Sequence, residues 1–431
     1  MGFGYVENIM IMNTGQFMLS KWGWQLLKLS QKLWVRTSLY TVLALITPGL
    51  ALLLNDLIPS ALGGAIGSDA VEKILTILAT SMLTVTTFSL SVMVAAFNAA
   101  SNGVSPRATR LLMADSTTQN ALATFVGTFL YSIVSIILLS TEVYGDGGRV
   151  VLFIITIGVI LLIVVTMLIW IEHLSSLGRV GETANRVENE AYNAIKRCVH
   201  HPWLDANRLQ SLAAIPRHAT AVCTRQIGYI QHIDVNTINN WAKEHDSQVY
   251  ICSLPGAFVY KDRPLLWLSG NNKKANQQLL NSFYISDYRS FEQDPRFGMM
   301  VLAEIAAKAL SPGINDPGTA IEIIGRGLRV LSNWLPENNH NAVKYDRVWA
   351  PEVQLNELFD DFFTSIAHHG ATNIDVQIRL QKAFLALAGY GPQFKQCARE
   401  HSAAALTRAE QAMAYQPDIA LLKKLNKQLD E

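Results

Sequence analysis

VVLFIITIGVILLIVVTMLIWI, from Val150 to Ile171, contains no charged side chain. A helix rises 1.5 Å per residue, so about 20 apolar residues cross the ~30 Å hydrocarbon layer of a bilayer. The stretch therefore predicts a transmembrane helix, and it sets the class of the whole chain. Towards the N-terminus, three more stretches have spanning length: Ser38 to about Ile58, about Ile74 to Phe97, and Ala121 to Ser140. The first contains Pro48-Gly49, where a kink is expected. The second is rich in Ser and Thr.

The composition agrees. Of 431 residues, 50% are hydrophobic and 16% charged, and mean hydropathy is +0.20. A soluble domain carries about 25% charge, so an ordinary cytosolic enzyme is disfavoured. Lys+Arg 35 against Asp+Glu 34 leaves a net charge of +1. That balance gives no bias toward nucleic acid. Residues 1–37 lack the short apolar core and small-residue site of a cleavable signal peptide. They hold Phe17, Lys21, Trp22, Trp24, Leu27, Lys28, Lys32, Trp34 and Arg36. Tryptophan favours the headgroup layer and lysine snorkels into water, so an interfacial helix is expected there.

Lys and Arg near span ends set orientation. Lys21, Lys28, Lys32 and Arg36 precede the first span, Arg107 and Arg110 separate the second and third, and Arg179 and Arg186 follow the fourth. The opposite side holds Lys73 and Arg149 among Asp56, Asp69, Glu72, Glu142 and Asp146. Both termini are therefore expected in the cytoplasm. Cys198, Cys223, Cys252 and Cys397 all follow the fourth span, on the reducing side, and their spacing matches no zinc motif.

Beyond Leu174 the composition is that of a soluble protein. Residues 176–200 predict a helix, with Leu177, Val180, Ala184, Val187, Ala191, Ala194 and Ile195 near helical spacing. A small α/β module follows: a strand at 228–234, a helix at about 235–245 capped by Asp234, a strand at 248–254, and short strands at 258–260 and 265–268. It carries no GxGxxG, P-loop or nucleophile elbow. Residues from about 275 to 431 predict mainly helices.

Two passages carry a resemblance: FSLSVMVAAFNAASNGVSPRATRLL with LATFVGTFLYSI within 81–134, and RSFEQDPRFGMMVLAEIAAKALSPGINDPGTA at 289–320. Together they resemble the bacterial predicted membrane protein family called domain of unknown function 2254. The likeness runs from the first span to beyond residue 330, and ALSPGINDPGTA at 309–320 is its most distinctive element. The resemblance implies four spans, a cytoplasmic domain and a bacterial inner membrane. It brings no reaction or ligand.

Three constellations are candidate sites. Thr76, Thr80, Thr84, Thr87, Ser91 and Asn98 fall within an arc of about 80° on the second span at 100° per residue. Such a face is expected to turn from lipid, either to line an ion or ligand pathway or to pack helices. No charge sits mid-span, which disfavours a proton-coupled pump or voltage sensor. Ser105-Pro106 predicts the start of a short helix whose Arg107 and Arg110 either attract an anion or lipid headgroup, or anchor the positive side. Asp294, Phe297, Gly298, Ser311, Pro312, Asn315, Asp316, Pro317 and Thr319 belong to a corner. There a helix from about Phe297 to Leu310 ends, and Asp316-Pro317 starts the next. The alternative makes Asp294, Glu304, Asn315 and Asp316 oxygen ligands of a cation. His200-His201 and His368-His369 point apart on helices and are expected at surfaces; Asp360-Asp361 are expected on a solvated face.

The expected fold is an α-helical membrane protein with four transmembrane helices, a cytoplasmic α/β module and a mainly helical C-terminal region. Its parts are 1–37 (interfacial helix), 38–173 (spans), 174–270 (connecting helix and α/β module) and 271–431 (helical). No cofactor, metal or catalytic group is implied. Three functions are in view: a homo-oligomeric channel or passive transporter gated by its cytoplasmic domain, a membrane-anchored sensor or scaffold binding a ligand or protein, and, least supported, a lipid-acting enzyme.

Overall fold

The computed structural model describes residues 33–53, 68–113, 115–141, 146–270, 277–335 and 343–430. They form two compact units divided between Thr183 and Ala184. The expected interfacial helix lies outside the described residues, except for Trp34 and Arg36.

The apolar unit contains α1 (Leu33–Leu53), α2 (Ser68–Gly103), α3 (Pro106–Met113), α4 (Ser116–Ser140) and α5 (Asp146–Ser176). Helices α2, α4 and α5 are long and apolar enough to cross a membrane; α1 contributes a shorter apolar stretch, Trp34–Ile46. Among the described residues, three of the four expected spans thus have spanning length and apolarity. The first expected span runs to residue 58, and residues 54–58 lie outside the description. Pro48-Gly49 does not interrupt α1, which continues as helix to Leu53.

Contacts fix the direction of each helix. Arg36 at the start of α1 donates to Asn120 Oδ1 (3.0 Å) at the start of α4. Val71 and Leu75 of early α2 cluster with Leu139 of late α4 and Leu152 of early α5. Trp170 of late α5 donates to Ser89 Oγ of α2 (2.9 Å). The starts of α1 and α4 therefore share one end of the bundle with the ends of α2 and α5. Helix α4 packs against α1, α2 and α5 and is the most buried of the spanning helices. Small residues permit this closeness: a Cβ on Gly127 would lie 3.4 Å from Tyr40 O of α1.

The second unit holds α6 (Val180–His200, from Ala184 onward) and eight strands among its described residues. Helix α6 buries Ala184, Val187, Ala191, Ala194 and Ile195, the face its spacing predicts. Strands β1 (Ala206–Arg208), β8 (Tyr345–Ala350), β4 (Ser247–Ile251), β6 (Pro264–Gly270) and β2 (Thr220–Cys223) form one sheet in that order. β4 is parallel to β8 and antiparallel to β6. Asp234 caps α7 (Val235–Glu244), accepting from Thr237 N at 3.0 Å. That helix lays Ile238, Trp241 and Ala242 on Val249, Ile251, Leu266, Leu268 and Val348. β5 (Phe258–Val259), β3 (Gly228–Ile233) and β7 (Phe283–Ser286) make a second sheet; the short α8 (Gln277–Asn281) precedes β7.

The expected boundary at 270/271 is not a structural division. β7 and β8 come from the stretch expected to be helical, and β8 lies between β1 and β4. Six helices complete the unit: α9 (Pro295–Ala309), α10 (Pro317–Leu331), α11 (Leu355–His369), α12 (Ile374–Ala388), α13 (Pro392–Ala412) and α14 (Gln416–Lys427). Phe359, Phe362, Phe363 and Phe384 fill the core between α11 and its neighbours. Asp360 is exposed, as expected, whereas the Asp361 side chain is largely covered. Asp361 pairs with Arg296 of α9 at 2.6 Å and Asp360 with His401 of α13 at 2.9 Å, tying three helices together.

Candidate functional site

Helix α2 does bring its six polar side chains onto one face, and that face is the outer one. Thr76, Thr80, Thr84, Thr87, Ser91 and Asn98 are all exposed on the apolar unit. The buried face carries Val71, Leu75, Met82, Ser89, Met93, Ala96 and Ala100. Within one chain the stripe is therefore not covered by the other helices of the bundle. The physical reason lies in the hydroxyls, each of which donates back to a carbonyl of its own helix. Thr76 bonds to Glu72 O (2.9 Å), Thr80 to Thr76 O (2.9 Å), Thr84 to Thr80 O (3.0 Å), Thr87 to Thr84 O (2.9 Å) and Ser91 to Thr87 O (2.9 Å). A back-bonded hydroxyl leaves no unmet donor, so exposing it costs little.

The buried polar seam belongs to α4. Gln119, Thr124, Thr128, Ser132 and Ser135 are buried there, and Tyr131 meets Thr156 of α5 at 2.9 Å. At the end shared by the starts of α1 and α4, Asp115 caps α4. Its Oδ2 accepts from Thr118 N (2.9 Å) and Thr118 Oγ1 (2.5 Å), and lies 2.6 Å from His173 Nε2 of α5. Trp170 stands beside His173, ring centroids 5.9 Å apart. No expectation named Asp115 or His173. The sequence signal was available in Asp115-Ser-Thr-Thr118, an acid three residues before a hydroxyl at a helix start.

Ser105 is buried and caps α3, accepting from Arg107 N (3.2 Å) and Ala108 N (3.3 Å). Arg107 and Arg110 are exposed on that helix. Arg36, Arg107, Arg110 and Arg179 therefore belong to one end of the bundle, and Asp69, Glu72, Lys73 and Arg149 to the other.

The corner at 294–319 is built as caps and turns. Asp294 caps α9, and its carboxylate takes a two-pronged bond from Arg289 at 2.7 and 2.9 Å. Phe297 is buried against Phe291, centroids 4.6 Å apart. A Cβ on Gly298 would collide with Ala191 of α6, so only glycine admits this approach. Ser311 donates to Lys308 O, and Pro312 lies exposed in the turn that follows. Asn315 adopts a left-handed conformation (φ 50°) and donates its N–H to Ser311 O at 2.8 Å. Asp316 caps α10, with Pro317 in the first turn, accepting from Thr319 N (3.0 Å) and Thr319 Oγ1 (2.6 Å). Those bonds from Thr319 hold the Asp316 carboxyl below its ordinary value.

The cation alternative fails on this geometry. Asp294 sits at the start of α9 and Asn315-Asp316 beyond its end, about 22 Å apart along a helix of that length. Among the described residues no three or more His, Cys, Asp and Glu side chains converge as metal ligands. His201 instead pairs with Asp205 at 3.0 Å, which raises its pKa. His369 bonds Ser365 O at 2.8 Å. Burial raises the Glu190 carboxyl, with Arg197 opposing it, and Arg197 donates to Glu292 O at 3.0 Å.

Comparison with known proteins adds a family. Uncharacterized proteins of Mycobacterium tuberculosis and Mycobacterium bovis are 25% identical over 261 residues, 58% of this chain and 50% of each relative. The match thus spans about half the length of these curated relatives. No solved structure matches the chain. The profile of a family described as predicted membrane protein (DUF2254) matches residues 30–386, and the chain belongs to that family.

Proposed function

We propose that this protein is an oligomeric bacterial inner-membrane channel or passive transporter, regulated by its sheet-containing unit. The observation that carries this reading is the outward stripe of α2. A single bundle leaves Thr76, Thr80, Thr84, Thr87 and Ser91 uncovered, and symmetric copies meeting along that face enclose a hydroxyl-lined passage. A passage of this kind needs no intramembrane charge and suits a small ion or uncharged solute. The start of α1 and the end of α5 are assigned to the cytoplasm, because the arginine-rich end favours that side. Arg107 and Arg110 there face lipid phosphates.

The test is flux. Full-length protein reconstituted into liposomes at known orientation should pass a common monovalent ion or small neutral solute above the rate of empty vesicles. Folded, correctly inserted protein that passes none of a panel overturns the reading. A second reading, a membrane-anchored sensor or scaffold, is favoured by the back-bonded hydroxyls, which need no water and serve equally as a packing face. It keeps oligomerisation and loses flux.

A further inference from the structure

The five-stranded sheet has a second face. Strand register sets Trp267 of β6 beside Tyr250 of β4, and Tyr250 beside Trp349 of β8. The Tyr250 and Trp349 rings stack with centroids 5.2 Å apart. None of the three belongs to the core beneath α7, because side chains alternate along a strand and Val249, Leu266 and Val348 take that side. Tyr250 is buried between two half-buried tryptophans.

At the Trp267 end of this row lies a groove of about 480 Å³, walled by Leu212, Ile215 and Arg217 on one side and by Ser253, Arg263 and Trp267 on the other. Its volume falls within the range of small-molecule sites, roughly 300–1,000 Å³. Its charge is one-sided. Among the described residues neither Arg217 nor Arg263 meets a carboxylate, and no acid lines the groove. Arg263 donates one N–H to Phe258 O at 2.7 Å and lies over the Tyr260 ring, 5.9 Å from its centroid. Those contacts orient the guanidinium without neutralising it. Cys252, also in the wall, has its thiol pushed up to about 12 by burial, so it adds no negative charge at neutral pH.

We propose that this groove binds a small planar organic anion, its charged group held by Arg217 and Arg263 and its flat body lying against Trp267 and Ile215. Guanidinium forks match the paired oxygens of phosphate or carboxylate, and the indole supplies apolar area for the ring. The assignment is independent of the pathway reading, since it concerns binding to the sheet-containing unit and not flux.

Isothermal titration of the full-length protein in a non-ionic detergent tests it, with 1-naphthyl phosphate as probe and 1-naphthol and inorganic phosphate as its two halves. The expected result is saturable binding of naphthyl phosphate, at least about tenfold tighter than inorganic phosphate. Arg217→Gln with Arg263→Gln should weaken it by at least about tenfold at an unchanged unfolding midpoint. Trp267→Leu should weaken naphthyl phosphate while leaving inorganic phosphate alone. No saturable binding by the folded wild type, or equal affinity in the double-arginine variant, overturns the proposal.

Discussion

At the scale of single residues, the structure turns on a few carboxylates with demanding partners. Asp294 holds Arg289 and caps α9 from a position 1% exposed, with Gly256 directly against it. Gly256 has φ +89°, and a Cβ there would strike the Asp294 carboxylate. Gly256→Ala should therefore cost about 2–4 kcal/mol through backbone strain and a displaced ion pair, read as a lower thermal unfolding midpoint of the purified protein. Glu188 gives a pH signature. Burial works to raise its carboxyl, and hydrogen bonds from Arg329 (2.6 Å) and Arg326 (2.5 Å) outweigh that and lower it. A lowered folded value means stability that is present above the ordinary carboxylate value of 4.5 and lost as pH falls through the folded one. The unfolding midpoint should thus drop on acidification below that value. Glu188→Gln should flatten this fall and cost about 1–2 kcal/mol at neutral pH, a modest figure because Arg329 is largely exposed and screened. Capping residues were legible at this scale at Asp234, Ser105 and Asp316, which occupy the expected helix starts, while Asp294 was expected in the corner but not as the cap it is. Asp361 was not, because its partner Arg296 lies 65 residues away and only tertiary packing joins them.

Elements show where sequence patterning reaches and where it stops. The period of the α2 stripe is a property of the helix alone, and it was readable. Which way the stripe faces is a property of the bundle. Helix α4 carries Thr124, Thr128, Ser132 and Ser135 with the same kind of spacing, and those are the buried ones. Two similar hydroxyl rows take opposite environments because Gly127 lets α1 come close to α4, whereas Met82 and Leu75 give α2 an apolar inner face. Thr80→Val with Thr87→Val follows from this. Both side chains are exposed and bond only within α2, so the monomer should keep its unfolding free energy within about 1 kcal/mol. Under the pathway reading, liposome flux should fall several-fold. Unaltered flux with altered oligomer size would favour packing instead. Strands β1, β2, β7 and β8 escaped prediction since they are short, at three to six residues each, and lack clean alternation.

For the whole molecule, the division into an apolar and a sheet-containing unit was plain from the charge deficit of the first part of the chain. The internal boundary placed at residue 270 was not real, as β8 returns over a long sequence separation to complete the sheet. Assembly is the property that cross-linking reads at this scale. The natural cysteines, Cys198, Cys223, Cys252 and Cys397, all lie in the sheet-containing unit. In a background with these replaced by serine, Thr84→Cys should form a disulfide-linked dimer in native membranes under mild oxidation, and Ala79→Cys, on the buried face of α2, should not. Absence of cross-linking at every stripe position would remove the basis for a shared passage. One dimension of α2 bears on how such an assembly would respond. Its 36 residues form one unbroken helix, about 54 Å long against a hydrocarbon layer of ~30 Å. Unless strongly tilted, it stands out of the membrane by several turns, a stiff arm with no joint. A push on the protruding turns would rotate the submerged threonines directly, as an oar turns its blade.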